Sequence, residues 1–128
     1  MSILIVDDSA VVRDMLRQML AKLEGVTVAG ECESPAAAIE SIQADPPDIV
    51  VLDIQLVNGS GLEVLRAATK DHPGVKIIVV TNFAEDVYRK RCLEAGAYAF
   101  FDKKSDLHAL RQTVQDLASA GSARVRDQ

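Results

Sequence analysis

The chain has little of what a disulfide-bonded, metal-thiolate or membrane-spanning protein needs. Its two cysteines, Cys32 and Cys92, lie far apart, and neither stands at metal-ligand spacing from a histidine or from the other. We interpret both as reduced, small hydrophobic residues. The longest aliphatic runs, such as residues 77–80, are far shorter than the roughly 20 residues of a transmembrane helix. No basic leader precedes the first aliphatic run, so we expect a cytoplasmic protein without a signal peptide.

An excess of positive charge is also missing, because the formal net charge is -5. Nucleic acids and anionic membrane surfaces attract proteins that present a positive field. The sequence therefore disfavours a nucleic acid or a membrane as the partner and favours another protein. With 128 residues, of which 48% are hydrophobic and 26% charged, the chain has the size and composition of one globular domain that folds alone.

Continuous aliphatic runs predict the strands. Residues 3–6, 49–52 and 77–80 are apolar on both faces, which is typical of parallel strands covered by helices on both sides. Two weaker candidates at residues 26–32 and 98–101 bring the number of predicted strands to five.

Helical periodicity fills the intervals between these strands. Apolar residues recur at intervals of three and four between Val12 and Leu23, and again between Leu107 and Leu117. Capping signals delimit further helices, because Ser34 precedes Pro35 at one start and Gly96 suits a helix end. The further helices are predicted at about residues 35–44, 60–72 and 84–95.

Five β-α units in succession predict an α/β fold, in which a five-stranded parallel sheet has five helices on its two faces. We expect the strand order 2-1-3-4-5, as in flavodoxin-like folds. One domain should cover residues 1–120. The small, polar sequence of residues 121–128 predicts a flexible C-terminal tail.

Polar side chains follow four of the five predicted strands. They are Asp7 and Asp8 after the first strand, Asp53 after the third, Thr81 at the end of the fourth, and Asp102 and Lys103 after the fifth. The carboxyl ends of parallel strands meet at one edge, where such sheets bind ligands. Carboxylates gathered there repel one another unless a cation lies between them, and Mg²⁺ favours oxygen ligands while leaving positions for phosphate oxygens. The sequence therefore predicts a magnesium site with room for a phosphate.

Two other kinds of site are disfavoured at this edge. A flavin or nucleotide site would need glycine, serine or threonine after the first strand, where backbone N–H groups could bind a phosphate. Asp7 and Asp8 would repel that phosphate. A phosphatase of the Asp-x-Asp type would need a second carboxylate two residues after Asp53, and Gln55 stands there.

Five segments of the sequence resemble the motifs of the response-regulator receiver family of two-component signalling. The matching segments are ILIVDDS at residues 3–9, VLDI at 51–54, SGLE at 60–63, VT at 80–81 and FFDK at 100–103. The resemblance covers residues 2 to about 120, and the segments occur in order at or after the ends of four predicted strands. A full set in this order is far more specific than the acidic pair alone.

The resemblance implies a phosphoacceptor and a metal site. Asp53 would attack phosphorus and become an aspartyl phosphate. Asp8, Asp53 and the backbone carbonyl of Gln55 would bind Mg²⁺, and Asp7 would contact the metal more indirectly, through water. The phosphoryl oxygens would be contacted by Thr81 and Lys103.

The resemblance also implies a switch. Phe100 would turn into the space that Thr81 leaves when it moves toward the phosphoryl group, which changes the face formed by the fourth helix, the fifth strand and the fifth helix. On that face, residues 88–91 (YRKR) are candidates for partner docking, or they pair along their helix with acidic residues three or four positions away. Asn82 and Phe83 differ from the family pattern and are expected to alter access to the phosphoryl group.

The implied function is a phosphoryl-accepting receiver with no separate enzymatic activity. A sensor histidine kinase or a histidine phosphotransfer protein would supply the phosphoryl group, and a downstream protein would bind the altered face. The protein would be a monomer or a phosphorylation-dependent dimer. Two alternatives stay open: an interaction module that works without phosphorylation, and the N-terminal receiver of a longer DNA-binding regulator.

Overall fold

A computed structural model describes residues 1–56 and 59–127, the last seven by their backbone alone. The five strands of the main sheet are β1 (Ser2–Val6), β2 (Thr27–Cys32), β3 (Ile49–Leu52), β4 (Lys76–Thr81) and β5 (Ala99–Asp102). The helices are α1 (Ala10–Ala21), α2 (Pro35–Ala44), α3 (Gly61–Asp71), α4 (Asp86–Glu94) and α5 (Leu107–Asp127).

The main sheet is parallel throughout, with the strand order β2-β1-β3-β4-β5. This confirms the predicted fold class and strand order. Every connection between strands that follow one another in the chain contains a helix, as parallel pairing requires. The carboxyl ends of all five strands therefore lie at one edge.

β3 and α2 have the predicted bounds, and the other strands, α1, α3 and α4 differ from the predictions by one or two residues. α5 continues ten residues past Leu117, where the predicted periodicity ends. β2 begins at Thr27, the first residue paired with β1, and β5 begins at Ala99, the first residue paired with β4. Ser60 precedes α3 as its N-cap, and α4 begins at Asp86, two residues after the predicted start. Gly96 has a φ of 110°, which confirms its predicted left-handed conformation after α4.

A short antiparallel pair was not predicted. Residues Gln55–Leu56 pair with Gly59–Ser60 directly after β3. Strands of two residues carry too little periodicity to be recognised in a sequence. Residues 57 and 58, which connect the pair, lie outside the described part of the chain.

Apolar side chains cover both faces of the sheet. Along β3, Val50 and Leu52 join one buried cluster, which includes residues of α2, α3 and α4, while Ile49 and Val51 join a second cluster with α1 and α5. Strands buried on both faces explain why their sequences are continuous aliphatic runs. Among the described side chains, the buried polar or charged ones are Asp7, Asp53 and Thr81, which all lie at the carboxyl edge.

The structure describes no helix with the length and apolarity needed to cross a membrane. The flexible tail expected at residues 121–128 stays a prediction; α5 is helical as far as Asp127, and residue 128 lies outside the described chain.

Candidate functional site

The junction between β1 and α1 fixes Asp7 by its main chain and its side chain. The Asp7 amide donates to the carbonyl of Cys32 at 3.0 Å, and its Oδ1 accepts from the Ser9 amide at 2.9 Å. Arg13 donates from Nη1 to the Asp7 carbonyl at 2.6 Å. Asp7 is consequently buried, with 2% of its surface exposed, whereas Asp8 beside it is exposed.

Asp53 is held at the end of β3 in a similar way. Its amide donates to the carbonyl of Val6 at 2.9 Å, and its Oδ1 accepts from the Gln55 amide at 3.0 Å. The residue is 7% exposed. Oδ1 therefore accepts from a backbone donor, while Oδ2 accepts from the Lys103 side chain.

Gly61 permits the loop after Asp53 to pack closely. Its amide donates to the carbonyl of Ile54 at 2.8 Å. A Cβ at position 61 would collide with the carbonyl oxygen of Asp53 and lie 2.7 Å from the Cα of Ile54. Only glycine fits without a shift of the main chain beside Asp53. This gives a physical reason for the glycine of the SGLE segment.

Lys103 joins the two buried acids. Its ammonium donates to Asp7 Oδ2 at 2.7 Å and to Asp53 Oδ2 at 2.8 Å. The Lys103 amide donates to the Thr81 carbonyl at 2.9 Å, which fixes the main chain from which this side chain extends. Burial by itself would lower the pKa of Lys103, but the hydrogen bonds and negative charges of Asp53 and Asp7 outweigh it, and the pKa is raised.

Three carboxylates form one group at this edge. One oxygen from each of Asp7, Asp8 and Asp53 lies within 4.8 Å of the others. Oxygen donors in this number and spacing, with one carboxylate open to solvent, fit Mg²⁺, which retains several water ligands in proteins. We refer to Asp7, Asp8, Asp53 and Lys103 as the acidic cluster.

Thr81 lies beside the acidic cluster and is fully buried. Its Oγ1 accepts a hydrogen bond from the Phe83 amide at 3.1 Å, which fixes the start of the loop between β4 and α4. The Phe83 ring is 39% exposed and meets Tyr88 edge to face, with ring centroids 6.2 Å apart. These rings and Gln55 line part of an open groove of about 280 Å³.

Phe100 lies apart from the acidic cluster, in the core between β4 and α4. The residue is 3% exposed, and the guanidinium carbon of Arg89 lies 4.9 Å from the centroid of its ring. Arg89 Nη1 also donates to the Phe100 carbonyl at 3.1 Å. From the sequence, Arg89 was expected either to dock a partner or to pair with acidic residues along its helix. Neither expectation includes this contact with Phe100.

The structure brings most of the predicted site residues together. Asp7, Asp8, Asp53 and Lys103 meet directly, Gln55 adjoins Asp53 through its amide, and Thr81 adjoins Lys103. The contacts of Arg13 and Arg89 with site residues 6 and 11 positions away were not predicted. No periodicity or motif marks such contacts, because they depend on how elements pack.

Comparison with known proteins agrees with this architecture. A family model described as the response regulator receiver domain matches residues 3–115. The response regulator GacA of Pseudomonas viridiflava is 32% identical over 126 residues, which are 98% of this chain and 58% of that protein. The chain thus spans little more than half the length of that relative.

Two solved structures share the fold. A chain of the CheX-CheY-BeF3-Mg²⁺ complex from Borrelia burgdorferi has a TM-score of 0.82 and 25% identity over 91% of this chain and 87% of its own. A DNA-binding response regulator of the LuxR family from Staphylococcus aureus has a TM-score of 0.83 and 25% identity over 91% of this chain and 98% of its own. The chain belongs to the response regulator receiver domain family of two-component systems.

Proposed function

We propose that Asp53 accepts a phosphoryl group in a Mg²⁺-dependent reaction, from a sensor histidine kinase or a histidine phosphotransfer protein. Phosphoryl acceptance is general for receiver domains, and the geometry of this chain supports it. The observation that carries the proposal is the acidic cluster, in which three carboxylates converge within 4.8 Å and Lys103 donates to Asp53. A buried, oriented carboxylate beside a fixed cation is suited to phosphoryl transfer, where positioning and electrostatics dominate.

In the reaction, a carboxylate oxygen of Asp53 forms a bond to phosphorus while the bond from phosphorus to the donor's histidine nitrogen breaks. The histidine nitrogen keeps the bonding electron pair and recovers a proton from solvent. Mg²⁺ bound by Asp8, Asp53 and the Gln55 carbonyl would offset the negative charge of the transferring group. Lys103 then exchanges its contact with Asp53 for a phosphoryl oxygen.

Thr81 and Phe100 couple this chemistry to the surface. The Thr81 hydroxyl already accepts from Phe83 and has a proton to donate to a phosphoryl oxygen. Movement of Thr81 toward the phosphoryl group would draw the loop before α4 toward Asp53 and leave space beside Phe100, whose buried orientation this would stabilise further. The face formed by α4, β5 and α5 changes, and a downstream protein binds or leaves it.

Phe83 and Asn82 set the lifetime of the phosphoryl group in this proposal. The exposed Phe83 ring, packed on Tyr88, lies beside the groove that leads past Gln55. An aromatic side chain there restricts the approach of water to the phosphoryl group.

A second candidate function is control of a DNA-binding region in a longer protein. It is favoured by the partial coverage of GacA, of which this chain spans 58%, and by the similarity to the DNA-binding regulator from Staphylococcus aureus. The net charge of -5 disfavours DNA binding by this domain itself. An interaction module without phosphorylation is the weaker alternative, since buried acids held by a lysine would then have no use.

Intact mass after incubation with acetyl phosphate tests the proposal. Wild type should gain one phosphoryl group when Mg²⁺ is present and none when it is chelated. Asp53→Asn should gain none in either case. Asp71→Asn, which neutralises an exposed aspartate at the end of α3, is the matched control and should behave as wild type.

The possible outcomes separate the hypotheses. Phosphorylation of Asp53→Asn to the level of wild type would refute Asp53 as the acceptor. If neither protein gains mass with acetyl phosphate or with a histidine kinase, the unphosphorylated interaction module becomes the better explanation.

A further inference from the structure

Arg89 makes two contacts with the same residue. Its guanidinium carbon lies 4.9 Å from the centroid of the Phe100 ring, and its Nη1 donates to the Phe100 carbonyl at 3.1 Å. The first contact is a cation–π interaction with the side chain, and the second is a charged hydrogen bond to the main chain. One side chain of α4 therefore fixes both the ring and the backbone of a residue in β5.

The Phe100 ring packs into the core under this cover. Val79 of β4 and Cys92 of α4 belong to the same buried cluster, and Phe100 pairs with Val79 in the sheet. Arg89 is itself only partly exposed. The guanidinium thus closes the outer side of a pocket whose inner side is apolar, which leaves the ring 3% exposed.

This position connects two parts of the proposed switch. Val79, the sheet partner of Phe100, lies two residues before Thr81, and Lys103 lies three residues after Phe100. Lys103 contacts Asp53, and Thr81 fixes the loop that leads to α4. Phe100 is therefore connected along β4 and β5 to both residues that would contact the phosphoryl group.

We infer that Arg89 is a positioning residue that holds Phe100 in its buried orientation and so favours, before phosphorylation, the conformation that the phosphoryl group selects. The effect on phosphoryl binding rests on the proposed function, whereas the contact between Arg89 and Phe100 does not. A group that stabilises one conformation strengthens the binding of any ligand that prefers that conformation. Loss of Arg89 should therefore expose the Phe100 ring and weaken binding of a phosphoryl mimic.

Fluorine NMR of protein labelled with 3-fluorophenylalanine tests the contact directly. The chain has three phenylalanines, and Phe101 packs with the cluster on the opposite face of the sheet, so its resonance is an internal reference. In Arg89→Gln, a soluble paramagnetic agent should broaden the Phe100 resonance more than in wild type. Lys90→Gln removes the same charge from an exposed neighbour and should leave that resonance as in wild type.

The affinity for beryllofluoride with Mg²⁺ tests the consequence. Arg89→Gln should bind about two- to fivefold more weakly than wild type, the factor expected for loss of a partly exposed cation–π contact. Arg89→Lys, which keeps the charge without the planar guanidinium, should fall between the two. Thermal unfolding and the Phe101 resonance establish whether each variant remains folded.

The two ideas fail in different ways. If wild type does not bind beryllofluoride, the proposed function is refuted. The exposure of the Phe100 ring in Arg89→Gln then still shows whether Arg89 holds that ring. If wild type binds beryllofluoride and Arg89→Gln matches Lys90→Gln in ring exposure and affinity, the positioning role of Arg89 is refuted. Altered ring exposure with unchanged affinity would refute the link to phosphorylation.

Discussion

The acidic cluster and the side of the site next to α4 are fixed by different kinds of contact. In the cluster, the Lys103 ammonium donates to two buried carboxylates. These are Asp7 and Asp53, which lie 96 and 50 residues before Lys103 in the chain. On the α4 side, Thr81 accepts one neutral hydrogen bond from Phe83, and Arg89 covers Phe100. Charged, buried contacts are costly to break singly, whereas neutral and partly exposed contacts exchange readily.

This difference matches two separate tasks. The acidic cluster is the part that would receive a charged group, since it already holds charges in a fixed arrangement. The α4 side is the part that would rearrange, since it is held by one neutral hydrogen bond and by the contacts of a single, partly exposed arginine.

Lys103→Met should cause the largest loss of stability. It leaves Asp7 and Asp53 buried beside each other without a cation, at a cost of about 3 kcal/mol in the free energy of unfolding. Urea unfolding in the absence of divalent ions measures this cost. Lys104→Met, at the exposed neighbouring position, is the control. If both substitutions lower the free energy of unfolding equally, the contacts of Lys103 with Asp7 and Asp53 contribute no specific stability.

Gly61→Ala should have the next largest effect. The added Cβ would collide with the Asp53 carbonyl, so the loop must shift, and we expect a loss of about 2 kcal/mol. At Gly74 an added Cβ would meet nothing within 4 Å, and Gly74→Ala should change stability by less than about 0.5 kcal/mol. Similar urea midpoints for the two variants would contradict the close packing beside Asp53.

Addition of Mg²⁺ should stabilise the wild type by about 1.4 kcal/mol at ten times its dissociation constant, because the ion binds only the folded state. Asp8→Asn should lose most of this gain, since it removes the exposed carboxylate of the acidic cluster. Asp71→Asn should retain it. The measurement is the shift of the thermal midpoint with Mg²⁺ concentration, and an undiminished shift in Asp8→Asn would count against the metal site.

Alkaline pH should have the smallest effect over the range in which the protein is handled. The raised pKa of Lys103 means that its stabilisation is fully present below the unfolded-state pKa of about 10.4. It is lost only as pH rises through the folded-state pKa, above that value. The difference in unfolding free energy between wild type and Lys103→Met should be constant from about pH 7 to 9 and narrow above about pH 10.4. If the difference in unfolding free energy already narrows near neutral pH, the pKa of Lys103 is not raised in the folded protein.

The fold could be predicted from the sequence because parallel strands buried on both faces leave an unmistakable pattern. The runs at residues 3–6, 49–52 and 77–80 all became central strands. The weaker candidates were right in existence and wrong by one residue at their starts, since Val26 and Tyr98 lie just before the first paired residues. Local patterns indicate an element, but the pairing partner decides where it begins.

Membership of the candidate site, formed by the acidic cluster and Thr81, could also be predicted, because each residue lies at or just after the end of a strand. The contacts within it could not. The resemblance to the receiver family assigned Lys103 to a phosphoryl oxygen, a role that stays a prediction, and gave no sign that its ammonium would bridge Asp7 and Asp53. Arg89 likewise shows no relation to Phe100 in spacing or charge. Such contacts depend on side-chain orientation across packed elements, which periodicity does not encode.

The most direct test of the link between the two sides is the amide NMR spectrum of wild type and Thr81→Val with beryllofluoride and Mg²⁺. In wild type, the amides of Gln55, Phe83 and Phe100 should all shift. In Thr81→Val, the Gln55 amide should still shift while the change at Phe100 is largely lost, because the hydroxyl that joins the two sides is gone. Shifts confined to the acidic cluster in wild type, or an unchanged response in Thr81→Val, would contradict the account.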